Sequence, residues 1–308
     1  MTTLLDMINE VSMNLSGYTL QQDRATHITA DVAATASTIA APITLTLAST
    51  DSVGKGIIEI DEELLWVDNY DRVGNTATIA PYGRAYLGTT LAAHTAGTKV
   101  TVAPTFPRFV IKRAINDTIS AIGSSIFAAN TTTITSNAAV AAFRLPTTGT
   151  TLNVRSILSI AYQSLGASKE WIPIRSWRLD INANSTAFTS GQTVSIYDII
   201  PSGRTIQIVY STDPNAFTAN TETFTTQTGL PESCKDVVIL GATYRLLSNL
   251  DPARASMVSP QADEVDSKRP YGSSQSLTKQ VYALFSQRLS EEIKNQQDKY
   301  PIRVHYSL

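Results

Sequence analysis

The chain contains few residues that could carry out acid–base or nucleophilic catalysis. Its three histidines are His27, His94 and His305, and no serine lies in a Gly-x-Ser-x-Gly nucleophile motif. The His-Glu-x-x-His spacing of a catalytic zinc site is also missing. Histidines that lack a nucleophile or a ligand set are usually surface or hydrogen-bonding residues. We therefore expect a chain that is not an enzyme and that needs no cofactor or metal.

Two short segments look like ligand-binding loops only superficially. The segment 54–56 (GKG) lacks the Gly-x-x-x-x-Gly-Lys-Ser/Thr spacing of a phosphate loop, and no helical pattern follows it, so a turn is predicted. The acidic run 61–63 (DEE) lacks the alternating oxygen ligands of a calcium loop. This run is more typical of the solvated tip of a β-hairpin.

Two tryptophans form the best candidate for a ligand platform. Trp171 and Trp177 lie six residues apart in strand-like segments, so both could face the same side of a sheet, and Glu170 adjoins the first of them. Exposed rings in that arrangement could stack against sugars. The competing interpretation is that both rings belong to the core of a small sandwich.

Composition and charge exclude several classes of protein. The 308 residues carry a net charge of -2, so no global positive field for gripping nucleic acid is present. The basic pairs 112–113 and 268–269 are isolated and do not form a stripe. Cys234 is the only cysteine, which rules out an intramolecular disulfide and favours a buried apolar role. The N-terminus lacks the pattern of a signal peptide, and no stretch approaches the length of a membrane span.

Four stretches have the spacing of amphipathic helices, and they lie far apart in the sequence: residues 2–16, 107–127, 231–250 and 276–300. The clearest apolar stripe is that of the second stretch, with Ile111, Ile115, Ile119, Ile122 and Ile126. The stripe predicted for the last stretch contains Leu277, Val281, Leu284, Phe285, Leu289 and Ile293.

Two long segments between these helices have strand character. Alternating apolar residues and Gly- or Asn-containing turns mark several short strands in residues 24–103, with hairpin turns at 61–63 and 73–75. Residues 130–229 contain strand candidates at 152–162, 171–179, 193–198 and 204–210. Both segments predict small antiparallel barrels or sandwiches.

The order of these elements predicts an α+β fold. Because the helices are so far apart in sequence, we expect their stripes to be buried against each other, as a four-helix bundle with two inserted antiparallel β domains. Residues 1–23, 104–129 and 230–308 would form the bundle and an extended C-terminal tail. Residues 24–103 and 130–229 would be the two β insertions.

The segment 56–113 resembles the head-to-tail adaptor (connector or neck) proteins of tailed bacteriophages. The resemblance is carried by the runs GIIEIDEELLWVD and APYGRAYLGTTLAAHTAGTKVTVAPTFPRF, and it covers the first 125 residues best. The second β stretch matches only in type. Gly83, Gly88 and Gly97 are predicted to occupy tight turns that need positive φ or a close backbone approach. Arg84 and His94 are predicted to brace the loop by hydrogen bonds and not to act as ligands.

The resemblance implies a non-enzymatic protein of the virion neck, assembled in the host cytoplasm. It implies a dodecameric ring that docks beneath the portal protein, extends the channel for the double-stranded DNA, and offers a platform to the next neck or tail protein. No membrane partner is implied. The alternative function is a tail-tip or fibre-associated module in which the tryptophans at 171 and 177 contact host glycan.

The family's C-terminal segment commonly reaches into the portal, and the last residues of this chain fit that role. The sequence IRVHYSL alternates in the manner of a strand, so it could add to the edge of a partner's sheet. The competing interpretation is a frayed terminus. The predicted portal-binding residues are Ile302, Arg303, Val304, His305, Tyr306 and Leu308.

Overall fold

A computed structural model describes residues 2–19, 23–137, 140–145, 154–165, 169–184, 186–188, 190–248 and 273–301. Its helices are α1 (Leu4–Thr19), α2 (Arg108–Ile122), α3 (Phe224–Thr228), α4 (Lys235–Ser248) and α5 (Ser273–Lys299). Short 3-10 helices occupy Tyr86–Gly88 and Glu232–Cys234. No helix in these ranges is long and apolar enough to cross a membrane.

The first β segment forms a six-stranded antiparallel sheet that curls into a half-barrel. Its strand order is β1-β6-β3-β4-β5-β2. The edge strands β1 and β2 approach each other at a bridge between Ile28 and Leu47. The strands are β1 (Arg24–His27), β2 (Thr44–Thr46), β3 (Gly56–Ile60), β4 (Glu63–Asp71), β5 (Thr76–Ile79) and β6 (Lys99–Val102). The curled sheet encloses a buried apolar cluster that includes Ile58, Ile60, Leu65, Val67, Ile79 and Val100.

The second β segment forms two further antiparallel sheets. The four-stranded sheet has the order β10-β9-β13-β7, and the three-stranded sheet has the order β11-β12-β8. Their bounds are β7 (Ala128–Thr135), β8 (Ala142–Arg144), β9 (Val154–Gln163), β10 (Trp171–Pro173), β11 (Trp177–Asp180), β12 (Thr193–Ile196) and β13 (Thr205–Thr212). Residues of both sheets share one apolar cluster, with Ile160 and Ile208 from the larger sheet and Val194 and Ile196 from the smaller. This packing is that of a small sandwich.

The predicted helical stripe is buried in α2 and only partly buried in α5. The five isoleucines predicted for the second helix are all buried, four within α2 and the fifth, Ile126, just after it. In α5 the prediction is wrong at Leu284, which is 43% exposed, whereas Val281 and Phe285 are buried as expected. Helix α3 was missed because its five residues are too short to show a 3.6-residue period.

The α+β class is correct only in the broad sense, and the predicted four-helix bundle with inserted β domains is wrong. The described part of the chain has five α-helices and is dominated by β-sheet. An apolar helical stripe can be covered by a sheet as well as by another helix, so its burial does not imply a helix bundle. Strand β4 buries Glu63, Leu64 and Leu65 in succession, so this part of the sheet is covered on both faces. The first turns of α2 contact the same hairpin, where the Arg108 N–H donates to Glu59 and Lys112 Nζ lies 3.1 Å from Glu62.

The chain divides into two compact units. One comprises Met1–Leu4, Asn116–Val238 and Ala283–Leu308, and it contains the four- and three-stranded sheets. The other comprises Leu5–Ile115 and Ile239–Tyr282, and it contains the six-stranded sheet. The candidate site described next belongs entirely to the second of these.

Candidate functional site

The residues that carry the phage-adaptor resemblance meet in one buried network of charged side chains. Glu63 begins β4, directly after the two-residue turn of the β3–β4 hairpin in which Ile60 pairs with Glu63. Arg84 and His94 come from the long connection between β5 and β6. All three side chains are at most 2% exposed, although Arg84 and His94 lie 21 and 31 residues after Glu63 in sequence.

The Glu63 carboxylate accepts hydrogen bonds at both oxygens. Arg84 forms a two-point contact, with Nε 2.7 Å from Oε1 and Nη2 2.9 Å from Oε2. The backbone N–H groups of Ala85 and Ala92 donate to the two oxygens at 2.9 Å and 3.1 Å. His94 Nε2 lies 3.0 Å from Oε2. The remaining guanidinium hydrogens of Arg84 reach backbone carbonyls, including that of Ala33 at 3.0 Å.

The pKa values of this network follow from burial opposed by hydrogen bonding. Burial alone raises the pKa of Glu63, but donors from Arg84, His94 and the backbone together lower that pKa to about 2. Burial lowers the pKa of His94, but the carboxylates of Asp61 and Glu63 raise that pKa to about 9. At neutral pH His94 is therefore a cation whose two N–H groups donate to Asp61, at 2.8 Å, and to Glu63.

The protonated ring of His94 has no free nitrogen lone pair for a metal or for proton abstraction. A ligand or general base needs a free nitrogen lone pair, and both ring nitrogens of His94 carry donated protons. Among the described residues, no group of three acidic, histidine or cysteine side chains is arranged to hold a metal ion. The predicted bracing role of Arg84 and His94 is confirmed. The prediction that the acidic run is a solvated tip holds for Asp61 and is wrong for Glu63.

The glycines of the same motif sit where their lack of a side chain is needed, as predicted. A Cβ added at Gly83 would lie 2.9 Å from the carbonyl oxygens of both Ala80 and Trp66, which is a backbone clash. Gly88 and Gly97 have φ values of +79° and +89°. The loop therefore packs closely against backbone at Gly83 and turns sharply at Gly88 and Gly97.

The braced loop has a strained backbone and presents apolar side chains to solvent. Tyr82, Ala85 and Leu87 have φ values of 59°, 50° and 54°, a region that non-glycine residues seldom adopt. Tyr82 is 75% exposed and Leu87 is 63% exposed. The ring of Tyr86 packs against that of the partly exposed Trp66 at a centroid distance of 5.3 Å. We call the side chains of Trp66, Tyr82, Tyr86 and Leu87 the loop surface.

The other predicted site residues are not brought together. Trp171 lies on the edge strand β10 of the four-stranded sheet and is exposed, whereas Trp177 lies in the three-stranded sheet and packs against the apolar cluster. The two rings therefore do not share one face of a sheet. The six predicted portal-binding residues, from Ile302 to Leu308, lie outside the described residues. Cys234 is buried as predicted, and burial raises the pKa of its thiol to about 12.

Glu59 is a buried acidic residue that the sequence pattern does not identify as buried. Glu59 lies between two core residues of β3, so the alternation predicts a solvent-facing side chain, yet it is buried. Its carboxylate accepts the backbone N–H of Arg108 at the first residue of α2, at 2.5 Å. Burial raises the pKa of Glu59 to about 7. No local pattern reveals this contact, because the capping residue is 49 positions before the helix that it caps.

Comparison with models of known protein families gave no match, and comparison with curated proteins gave none either.

Proposed function

We propose that this chain is a non-enzymatic assembly protein of the virion, the head-to-tail adaptor of a tailed phage. Copies of the chain would close into a ring beneath the portal protein through a head-to-tail interface. The ring would extend the DNA channel without gripping the DNA, in keeping with a net charge of -2. Its outer surface would receive the next neck or tail protein.

The observation that best supports this proposal is the hydrogen bonding of the buried polar residues in the segment that resembles phage adaptors. Glu63, Arg84 and His94 hydrogen-bond only to one another, to Asp61 and to nearby backbone among the described residues. Polar groups that hydrogen-bond to one another and to the backbone hold the loop in place. A protein that works by docking needs a rigid loop, whereas an enzyme needs polar groups that remain available to a substrate.

The loop surface is the part of the first β module best suited to meet the next neck or tail protein. Its tryptophan and tyrosine side chains are of the kinds that dominate the energetics of protein interfaces, and Leu87 adds exposed apolar surface. Arg84 is the only charged residue between positions 81 and 93, and it is buried, so this segment presents no exposed charge. Rigid presentation lowers the entropy cost of docking.

The experiment that tests the assignment is negative-stain electron microscopy of the purified chain mixed with the portal protein of the same virion. A twelve-fold ring in register with the portal is the expected result. Trimers that do not bind the portal would instead favour a fibre-associated protein and would contradict the adaptor proposal. The portal alone and the chain alone, imaged under the same conditions, are the controls.

A further inference from the structure

A cavity of about 430 Å³ lies at one end of the six-stranded sheet, away from the charged network. It forms where β1 begins, β6 ends and β3 begins, and the register aligns Arg24 with Val102 and Val102 with Ile58. Its volume falls within the range of small-molecule sites, which often occupy the mouths of curled or closed sheets. Five polar or charged side chains line it, those of Asp23, Arg24, Ser52, Lys55 and Thr105.

The two cations of the cavity are available to a ligand. The exposed Arg24 side chain forms no hydrogen bond or ion pair within the described parts of the chain. Lys55 Nζ lies 3.9 Å from Asp68 Oδ1, and both side chains are more than 60% exposed, so this ion pair contributes little. Positive charge on two neighbouring walls of one cavity favours an anionic group.

The cavity wall also contains two glycines that leave open space beside them. Gly54 and Gly56 flank Lys55, and a Cβ at either position would meet no other atom within 4 Å. No other atom therefore obstructs a ligand on the side of Gly54 and Gly56 to which a Cβ would point. Ala103, on the facing strand end, has a φ of 47°, a strained conformation of the sort that accumulates at binding sites.

Asp23 is the one carboxylate among the described residues that line the cavity, and it restricts the class of ligand that can bind there. Asp23 Oδ1 accepts hydrogen bonds from the backbone and the hydroxyl of Thr105, both at 3.3 Å. A carboxylate repels a bare anion but accepts a hydrogen bond from a hydroxyl or amino group. The cavity therefore suits a phosphate group that carries a hydrogen-bond donor itself or has one on a neighbouring group of the ligand.

We propose that this cavity binds a phosphate group, with Arg24 and Lys55 neutralising its charge, Gly54 and Gly56 leaving room for it, and Asp23 accepting from a neighbouring donor. The same chemistry is offered by a nucleic-acid backbone and by a free phosphorylated small molecule. This site is independent of the assembly role proposed above.

The test is calorimetric titration of the full chain with inorganic phosphate, at constant ionic strength set by sodium chloride. We expect saturable binding with one site per chain, weakened about tenfold or more by Arg24→Gln and by Lys55→Gln, because each removes a charge-assisted contact. Gly54→Ala should weaken binding without changing the charge, since its methyl group enters the open space. Lys99→Gln is the matched control, because Lys99 lies in β6 at the end opposite Val102.

Three results would each overturn the proposal. They are the absence of saturable binding, binding that is unchanged in Arg24→Gln and Lys55→Gln, and equal weakening of binding by Lys99→Gln. Competition by a short DNA duplex identifies the nucleic-acid backbone as the source of the phosphate. A lack of competition identifies a free phosphorylated molecule. Either result supports a phosphate site in this cavity. Unchanged thermal unfolding of the variants establishes that they are folded.

Discussion

At the scale of single residues, Glu63 is the side chain on which the first β module depends most. It is fully buried, and it is the acceptor that joins Arg84, His94 and two backbone N–H groups. A buried ion pair adds little net stability when it is intact, since desolvation offsets the attraction. Removal of one partner is costly, however, because it leaves the other charge buried and unpaired.

Glu63→Gln should therefore lower the free energy of unfolding by about 3–5 kcal/mol. The amide leaves Arg84 and the protonated His94 without a buried counter-charge. Urea unfolding followed by circular dichroism measures the loss. Asp68→Asn is the matched control, because Asp68 sits in an exposed and loose ion pair with Lys55, and its loss should cost less than about 1 kcal/mol. Equal effects of the two substitutions would contradict a buried network.

Glu59 gives the chain a pH dependence of opposite sign to that of most acidic residues. Its pKa of about 7 in the folded protein exceeds its ordinary value of 4.5, so the folded state holds the proton more tightly than the unfolded state. Its contribution to stability is complete below pH 4.5 and is lost as the pH rises to about 7. His94, with a pKa raised from 6.5 to about 9, loses its contribution only above pH 6.5.

Glu59→Gln should remove this slope between pH 5 and pH 6.5. We expect the wild-type protein to lose about 2 kcal/mol relative to the variant across that interval, at about 1.4 kcal/mol per pH unit. Glutamine still accepts the Arg108 N–H, so the helix cap is retained. Urea titrations at several pH values measure the difference, and parallel curves for the two proteins would show that Glu59 does not titrate in this range.

At the scale of elements, the loop between β5 and β6 is held in a conformation that its own residues do not favour. The buried network and the tight approach at Gly83 impose the path, and the positive φ angles are the consequence. Strain of this kind persists only when surrounding contacts outweigh it. The tight approach at Gly83 and the positive φ of Leu87 can each be tested by a substitution.

Gly83→Ala should destabilise the protein by more than about 2 kcal/mol, because its methyl group would press on two backbone carbonyls that cannot move independently. Gly17→Ala in α1 is the control, since a Cβ there meets nothing within 4 Å. That change should instead stabilise by about 0.5–1 kcal/mol through helix propensity. Thermal melting of both variants provides the comparison, and a Gly83→Ala protein of wild-type stability would falsify the close approach.

Leu87→Asn should stabilise the free protein by about 0.5–1 kcal/mol while weakening its attachment to a neck or tail partner. Asparagine tolerates the left-handed region better than leucine does, but it removes an exposed apolar group from the loop surface. Leu165→Asn is the control, because Leu165 is also exposed, at 80%, and has no positive φ. The measurements are chemical unfolding and co-sedimentation with the partner. Unchanged attachment would remove Leu87 from the docking surface.

At the scale of the whole molecule, the proposed attachment to the portal belongs to the segment beyond α5. Deletion of Pro301–Leu308 should leave the fold intact, because it removes no residue of α5, which ends at Lys299. The same deletion should abolish attachment to portal-bearing heads, since a strand that pairs with a partner's sheet edge supplies both backbone hydrogen bonds and side-chain contacts. Complementation of an adaptor-deficient phage measures this, with circular dichroism as the fold control. Normal virion yield from the truncated chain would refute the proposal.

The amino-acid sequence by itself determined the elements whose signals are local. The α2 stripe and the β3–β4 hairpin follow from residues a few positions apart, and both are present. The turn-forming roles of Gly88 and Gly97 are equally local, because each depends on the backbone angles of one residue.

The tertiary structure decided what those elements contact. A helical stripe specifies that it is buried and not whether a helix or a sheet covers it, which is why the predicted bundle failed. Glu59 and Glu63 carry ordinary surface-like sequence patterns, yet burial by α2 and by the 84–94 loop makes one a helix cap and the other the centre of a charged network. The partners lie 21 to 49 residues away, and only folding brings them within hydrogen-bonding distance.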